Sequence, residues 1–259
     1  MQKRNTQQRR RTIVELLNRT GEVAVDELAK LFSTSEVTIR KDFIELESNG
    51  LLLRKFGGAI LLPTSSSEMS DEKVSPYKKA IAAAAASIIK DHNRIIIDSG
   101  STTAALLPEL KYKTGLLVMT NSLQVANYLL ERENEPKVLM TGGTWDTQSH
   151  SFQGKMAELV LNEYNFDQAF IGAAGLDPQK GTTTFNELTQ LSQTMAKVCN
   201  QVIVMAESEK FQRKIPNVEL PWRAISVLVT DDKISAEVKQ QIEQHGVDVI
   251  CANTTEIGA

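Results

Sequence analysis

Along residues 34–50, TSEVTIRKDFIELESNG, apolar side chains recur at the spacing of a helix. Ile39, Phe43 and Leu46 share one stripe, while Val37, Arg40, Lys41 and Ile44 fall on the opposite side. Thr34 or Ser35 can cap this helix, and Gly50 is a stop signal. Upstream, Ile13, Leu16 and Leu17 keep the same period over about residues 7–19. GEVAV then breaks it, and Leu28, Ala29 and Phe32 mark a short helix over about 26–32. Ser33-Thr34 is a tight turn into the next helix. Downstream, LLLRKFGGAILL places two β-prone arms around Gly57-Gly58, the pattern of a hairpin. Helix, short helix, tight turn, helix and hairpin predict a winged helix-turn-helix over residues 1–62, with the hairpin as its wing.

The pattern changes at residue 63. PTSSSEMSDEKVSP, residues 63–76, has proline at both ends, is rich in Ser and acids, and predicts an extended linker. From Tyr77 an Ala-rich helix, YKKAIAAAAASIIKDH, opens a second domain over 77–259. There, short apolar strands alternate with helices, at residues 94–98, 116–119, 137–140, 168–172, 201–206, 224–230 and 247–251. Such strands predict a mostly parallel α/β sheet covered on both faces. The loops that follow them are DSGSTT, TNS, TGG, AAGLD, ESEK and TDD, all small and polar. Open parallel sheets bind ligands outside the carboxyl ends of their strands, so these loops predict a site for a small polar molecule.

Charge sharpens the division. Residues 1–62 carry 11 Lys/Arg against 8 Asp/Glu, while the chain as a whole has a net charge of −3. A basic head on an acidic body suggests a polyanion partner for the head alone. No apolar run approaches bilayer length, and the polar, basic first residues do not resemble a secretory signal, so a cytoplasmic protein is expected. Cys199 and Cys251 lie far apart and are expected to be buried free thiols. His92, His150 and His245 are scattered, which gives no metal site, and no cofactor motif is present.

In the head, Thr38, Arg40 and Lys41, with Ser35 and Val37 beside them, are placed to face a DNA major groove. Arg54 and Lys55 on the wing are placed to touch the backbone. In the body, Gly100 lets the chain turn sharply from strand to helix, and Ser101, Thr102 and Thr103 fill the first turn. Free backbone N–H groups and hydroxyls there suit a phosphate. The loop is neither a Walker A sequence nor a GxGxxG turn. No catalytic triad or metal motif presents itself. Asp98, Asp177, Glu187 and Lys210 could serve proton-transfer isomerisation or simply hold sugar hydroxyls.

These segments carry a resemblance. Arg9, Ile13 and Leu17, then SEVTIRKDF and the wing RKFGGAILL, resemble the head of the DeoR family of bacterial transcriptional repressors. DSGSTT, TNS, GGT, SFQG, GAAGLD, TTTFNE and ESEKFQRK follow in that family's order, and the late segments look closest to the glucitol operon repressor subgroup. The family's more usual GIDGID segment is GAAGLD here. The resemblance implies a body similar to ribose-5-phosphate isomerase and CoA-transferase folds, without catalysis, binding a phosphorylated sugar as inducer. It implies a phosphate and sugar loop of Asp98, Gly100, Ser101, Thr102 and Thr103. Asn121, Ser122, Gly142, Gly143, Gly172, Gly175, Glu187 and Lys210 would line the rest of the site. The expected protein is a repressor of a carbohydrate-use operon, with operator DNA and a sugar phosphate as partners and a homodimer or homotetramer as its form. The alternative is an active sugar-phosphate isomerase with an accessory nucleic-acid-binding head.

Overall fold

Ile13 and Leu17 lie one turn apart and both are buried, so the first helix docks by a single stripe. The structure, a computed structural model, describes residues 2–48, 51–55, 57–60, 74–147, 149–184 and 189–254. They divide into two units, residues 1–64 and 65–259. Helix α1 (Gln2–Thr20) is longer than the apolar period predicts, because its Gln- and Arg-rich start is made of good helix formers. Strand β1 (Glu22–Ala24), helix α2 (Val25–Leu31) and helix α3 (Glu36–Ser48) follow. Ser35 caps α3, its Oγ accepting from the Thr38 N–H at 3.2 Å. Strands β2 (Leu53–Lys55) and β3 (Gly58–Ile60) form the wing.

The wing is not a simple hairpin. β1 pairs with the other side of β3, giving an antiparallel sheet in the order β1-β3-β2. A strand of three residues is too short to show alternation, so the pattern gave no sign of it. Gly58 is required there: a Cβ would sit 2.3 Å from the Val23 carbonyl oxygen. Ile39, Phe43 and Leu46 from α3 join Ile13, Leu17, Leu28 and Leu52 in one core. Within it Asp42 is 2% exposed and accepts from Arg9 Nε at 2.6 Å and Arg10 Nε at 2.8 Å. These two cations, read from sequence as part of a head aimed at a polyanion, are engaged inside the unit. Gly50 and most of the expected linker lie outside the described residues.

In the second unit helix α4 (Pro76–Ser87) begins earlier than the linker boundary suggests. Ser75 is its cap, accepting from the Lys78 N–H at 3.2 Å, and Pro76 takes the first helical position. The strands are β4 (Arg94–Ile97), β5 (Leu117–Thr120), β6 (Lys137–Met140), a hairpin of β7 (Thr144–Asp146) and β8 (Ser151–Gln153), then β9 (Phe166–Gly172), β10 (Gly175–Asp177), β11 (Gly181–Thr184), β12 (Cys199–Met205), β13 (Asn217–Pro221), β14 (Val227–Asp231) and β15 (Asp248–Ala252). Between them run α5 (Ser101–Ala104), α6 (Leu123–Leu130), α7 (Lys155–Asn162), α8 (Gln190–Lys197) and α9 (Ala236–Glu243).

The seven predicted strands form one parallel sheet in the order β15-β14-β12-β9-β4-β5-β6. Its strands are buried on both sides: Ile95 and Ile97 pack with Ile81 and Ala85 of α4, while Ile96 packs with Leu161 of α7 and Met195 of α8. From β4 the chain first builds outward through β5 and β6, then returns to place β9 on the other flank of β4. The switch in direction therefore opens between β4 and β9.

Two expectations change. The helix after Gly100 is one turn, α5, because Pro108 cannot continue it; a 3-10 turn covers Leu107–Tyr112. A single turn aligns few peptide dipoles, so an anion there depends on side chains. Cys251 is exposed, on the edge strand β15. Cys199 is only partly buried, yet burial pushes its thiol up to about 12.

Candidate DNA-binding face and sensor site

The face of α3 opposite its core stripe is open. Val37 is 60% and Ile44 51% exposed, and Arg40 and Lys41 are exposed between them, so charge and apolar groups are presented together. Thr38 is half-buried and its hydroxyl lies 2.9 Å from that of Ser35. Arg40 is held by Glu36 one turn before it at 2.8 Å. On the wing, Glu47 of α3 accepts from both the Arg54 backbone N–H at 3.0 Å and Nε at 2.6 Å, which fixes the first wing strand to the helix. Lys55 pairs with Glu22. The expected DNA-contacting residues thus lie in one unit, most of them exposed. Three of their cations begin in ion pairs.

In the body, Asp98 stands where β4 ends. Its Oδ1 accepts from the Ser99 N–H and from Asn121 Nδ2, each at 2.8 Å, while Asn121 Oδ1 accepts from the same Ser99 N–H at 2.9 Å. The ends of β4 and β5 are thereby tied into one polar corner. Burial pushes the Asp98 carboxyl up to about 6, against the pull of those hydrogen bonds. Thr102 and Thr103 are buried, and Thr103 bonds back to the Gly100 carbonyl at 2.9 Å. A Cβ on Gly172 would have Thr103 Cγ2 as its nearest neighbour at 3.9 Å, so β9 ends beside this loop.

Lys210, after β12, reaches across to the Ala173 carbonyl at the end of β9. Burial lowers its pKa to about 8, and the Arg213 charge adds to the fall. Asp98, Asn121, Ser101, Gly172 and Lys210 therefore gather around the switch in strand order. Other expected residues do structural work. Ser122 caps α6, and a Cβ on Gly143 (φ 113°) would lie 2.5 Å from the Gln153 carbonyl. Gly175 backs onto Thr183 and Ile215, and Gly142 (φ 60°) makes the turn after β6. Asp177 closes its own turn, accepting from the Gln179 N–H at 2.9 Å. Glu187 lies outside the described residues.

Three polar groups in this region escaped the sequence reading. Lys78 of α4 donates to Ser101 Oγ at 3.0 Å. Glu207 accepts from Ser75 Oγ at 2.7 Å and stands 3.9 Å from Lys78 Nζ. Glu219 of β13 accepts from Ser192 Oγ at 2.7 Å; burial raises its carboxyl to about 7, and the Asp98 charge adds to the rise. The signal for Lys78 was legible: two lysines in a helix's first turn oppose its dipole and want an anion. Glu219, one acid in a short apolar strand, gave none. The segment carrying Lys210 also contributes Phe211 to a cavity of about 460 Å³ that Asp177, Arg213 and Ile215 help to line.

Family models match both units. Residues 9–65 match the DeoR-like helix-turn-helix domain, and residues 73–232 match the DeoR C terminal sensor domain. The chain belongs to the DeoR family. Relatives match it along most of its length. A candidate aga operon transcriptional repressor of Escherichia coli O157:H7 is 36% identical over 95% of this chain and 93% of the relative. The HTH-type transcriptional regulator GlpR of Haloferax volcanii is 31% identical, over 94% and 96%. GolR of Listeria innocua is 30% identical, over 93% and 97%. None of these singles out the glucitol subgroup. Among solved structures, ribose 5-phosphate isomerase A from Methanocaldococcus jannaschii aligns with a TM-score of 0.37 and 19% identity, over 54% of this chain and 55% of that one. As a DeoR-family member the chain is a DNA-binding transcriptional regulator rather than an enzyme. Among the described residues no helix is long and apolar enough to cross a membrane.

Proposed function

We propose that this regulator represses a carbohydrate-use operon and is released from its operator by a phosphorylated sugar or sugar alcohol held at the switch in strand order of the body. The observation that carries the reading is the gathering of Lys78 and Lys210 with the Ser101 hydroxyl around one polar corner. The Lys78 charge acts on Lys210 as a repulsion, which a dianionic phosphate relieves. Asp98 and Asn121 beside them hold sugar hydroxyls. The names of the aga operon repressor, GlpR and GolR relatives accord with control of carbohydrate genes. On the head, Ser35, Val37, Thr38, Arg40 and Lys41 read the major groove, and Arg54 and Lys55 meet the backbone. Paired half-sites suit a homodimer or homotetramer.

Ser101→Asp tests the phosphate position. Its carboxylate would take Lys78 and occupy the anion's place, so affinity for sugar phosphates in a thermal-shift screen should fall at least tenfold while operator binding in gel shifts is retained. Wild-type ligand affinity in the variant would refute the placement. Turnover of a sugar phosphate by the wild-type chain would favour the isomerase alternative.

A further inference from the structure

The site just described contains a carboxylate in the wrong place for a phosphate. Glu207 sits at the end of β12, 3.9 Å from the Lys78 ammonium that also reaches Ser101. Its charge also acts on Lys210, opposing the fall in that lysine's pKa. An acid among the cations of an anion site weakens the site, unless the acid itself has a task. The second oxygen shows what that task is. Glu207 Oε1 accepts from the hydroxyl of Ser75 at 2.7 Å, and Ser75 is the cap whose Oγ accepts the Lys78 N–H and whose carbonyl accepts the Lys79 N–H. Val74 and Ser75 are the first described residues of the body.

Resting on the phosphate reading above, we infer that Glu207 is an internal competitor for Lys78, displaced when phosphate binds, and that its bond to Ser75 carries this displacement to the cap and first turn of α4. In the free protein Glu207 neutralises Lys78 and holds the cap of α4. A phosphate that takes Lys78 leaves Glu207 facing a dianion. The carboxylate turns away, and Ser75 loses its acceptor. Ligand occupancy is thereby expressed at the first turn of α4, by a change in hydrogen bonding that differs between the two states, as any coupling between sites requires. Glu207 is a positioning residue in this scheme. Lys78 is the group that touches the ligand.

The two residues must then respond in opposite directions. Binding of inorganic phosphate to the full chain is measured by calorimetry at constant ionic strength, with amide exchange at residues 74–81 followed by NMR with and without phosphate. Glu207→Gln, which removes the competing charge and keeps an acceptor for Ser75, should bind phosphate about two- to tenfold more tightly. Lys78→Met should bind it at least tenfold more weakly, and Lys78→Arg should stay within about threefold of wild type. In the wild type phosphate should speed exchange of the Lys78 and Lys79 amides at least threefold, and in Glu207→Gln this difference should vanish. Weaker or unchanged phosphate binding by Glu207→Gln overturns the competitor role. A full phosphate-dependent exchange change in Glu207→Gln overturns the transmitting role. If the wild-type chain binds no phosphate, or Lys78→Met binds as well as wild type, the phosphate reading itself falls and the inference with it.

Discussion

Asp42 ties the DNA-binding unit together from within. It is buried on α3 and grips α1 through Arg9 and Arg10. Asp42→Asn keeps its volume and removes its charge, which takes the Asp42 carboxylate from both arginines and leaves Arg10 its longer pair with Glu45 at 3.9 Å. Breaking a buried pair by removing one partner costs about 3–5 kcal/mol. The lower end applies here, because the Arg10 side chain is 29% exposed and can rehydrate whereas that of Arg9 is only 12% exposed. A unit the size of residues 1–64 has a total stability on the order of 3–9 kcal/mol, so the loss is a large share of it. At 4–8 °C per kcal/mol, its midpoint should fall by about 12–24 °C. Because this unit has its own core, calorimetry of the full chain should show it as a separate transition while the body's stays in place. A fall below about 3 °C would refute the reasoning. As a second arm, Asp42→Leu with Arg9→Met and Arg10→Met replaces the triad by apolar groups and should recover most of the loss, as apolar replacements of buried ion pairs do.

Arg40→Ala should weaken operator binding more than random-DNA binding, since a bidentate guanine contact is worth about 1–3 kcal/mol of discrimination; equal losses in gel shifts would reassign Arg40 to phosphate contact. Asp98 and Glu219 have pKa values raised to about 6 and about 7, so the folded body binds more protons than the unfolded chain. Their stabilising contribution is complete below about pH 4 and is lost as pH rises through 6 to 7, on the order of 3 kcal/mol for each alone and less than double for the interacting pair. Urea unfolding should therefore show the body weaker at pH 8 than at pH 5, with Glu219→Gln shrinking the difference; an unchanged difference would count against the Glu219 assignment. Gly58→Ala should destabilise the wing, because its Cβ would overlap the Val23 carbonyl, and wild-type unfolding of the DNA-binding unit would refute the close approach.

What the sequence made legible follows from length and period. The seven body strands are four to seven residues of nearly continuous apolar character, and α3 shows a full helical stripe, so these elements announced themselves. β1, β7, β8 and β10 are three residues each, too short for any period, and they were missed. At the sensor site, Asp98 and Lys210 were found because each follows a strong strand. Lys78 and Glu207 meet only through the fold, 129 positions apart, and Glu219 reaches Ser192 of α8 from a small antiparallel sheet the pattern did not reveal. The hydroxyl-rich loop promised a helix end, and Pro108 reduced it to one turn, so the proposed anion site rests on lysines rather than on backbone dipoles.

The acids on the proposed DNA-binding face would give binding an unusual accounting of ions. Ordinarily a lysine or arginine that meets a phosphate releases a cation condensed on the DNA, and affinity falls steeply with salt in proportion to the number of such contacts. Arg40, Arg54 and Lys55 already carry Glu36, Glu47 and Glu22 as tethered counterions. If these three cations meet DNA as proposed, docking would free a glutamate that stays attached to the protein and remains close to the phosphates. Each such exchange offsets part of the entropy gained from the departing cation. A chance encounter with arbitrary sequence, which offers phosphate contacts alone, gains little from it. On the proposed DNA contacts, only a site whose bases reward the freed guanidinium would make the exchange favourable, and the carboxylates would convert a charged surface into a selective one.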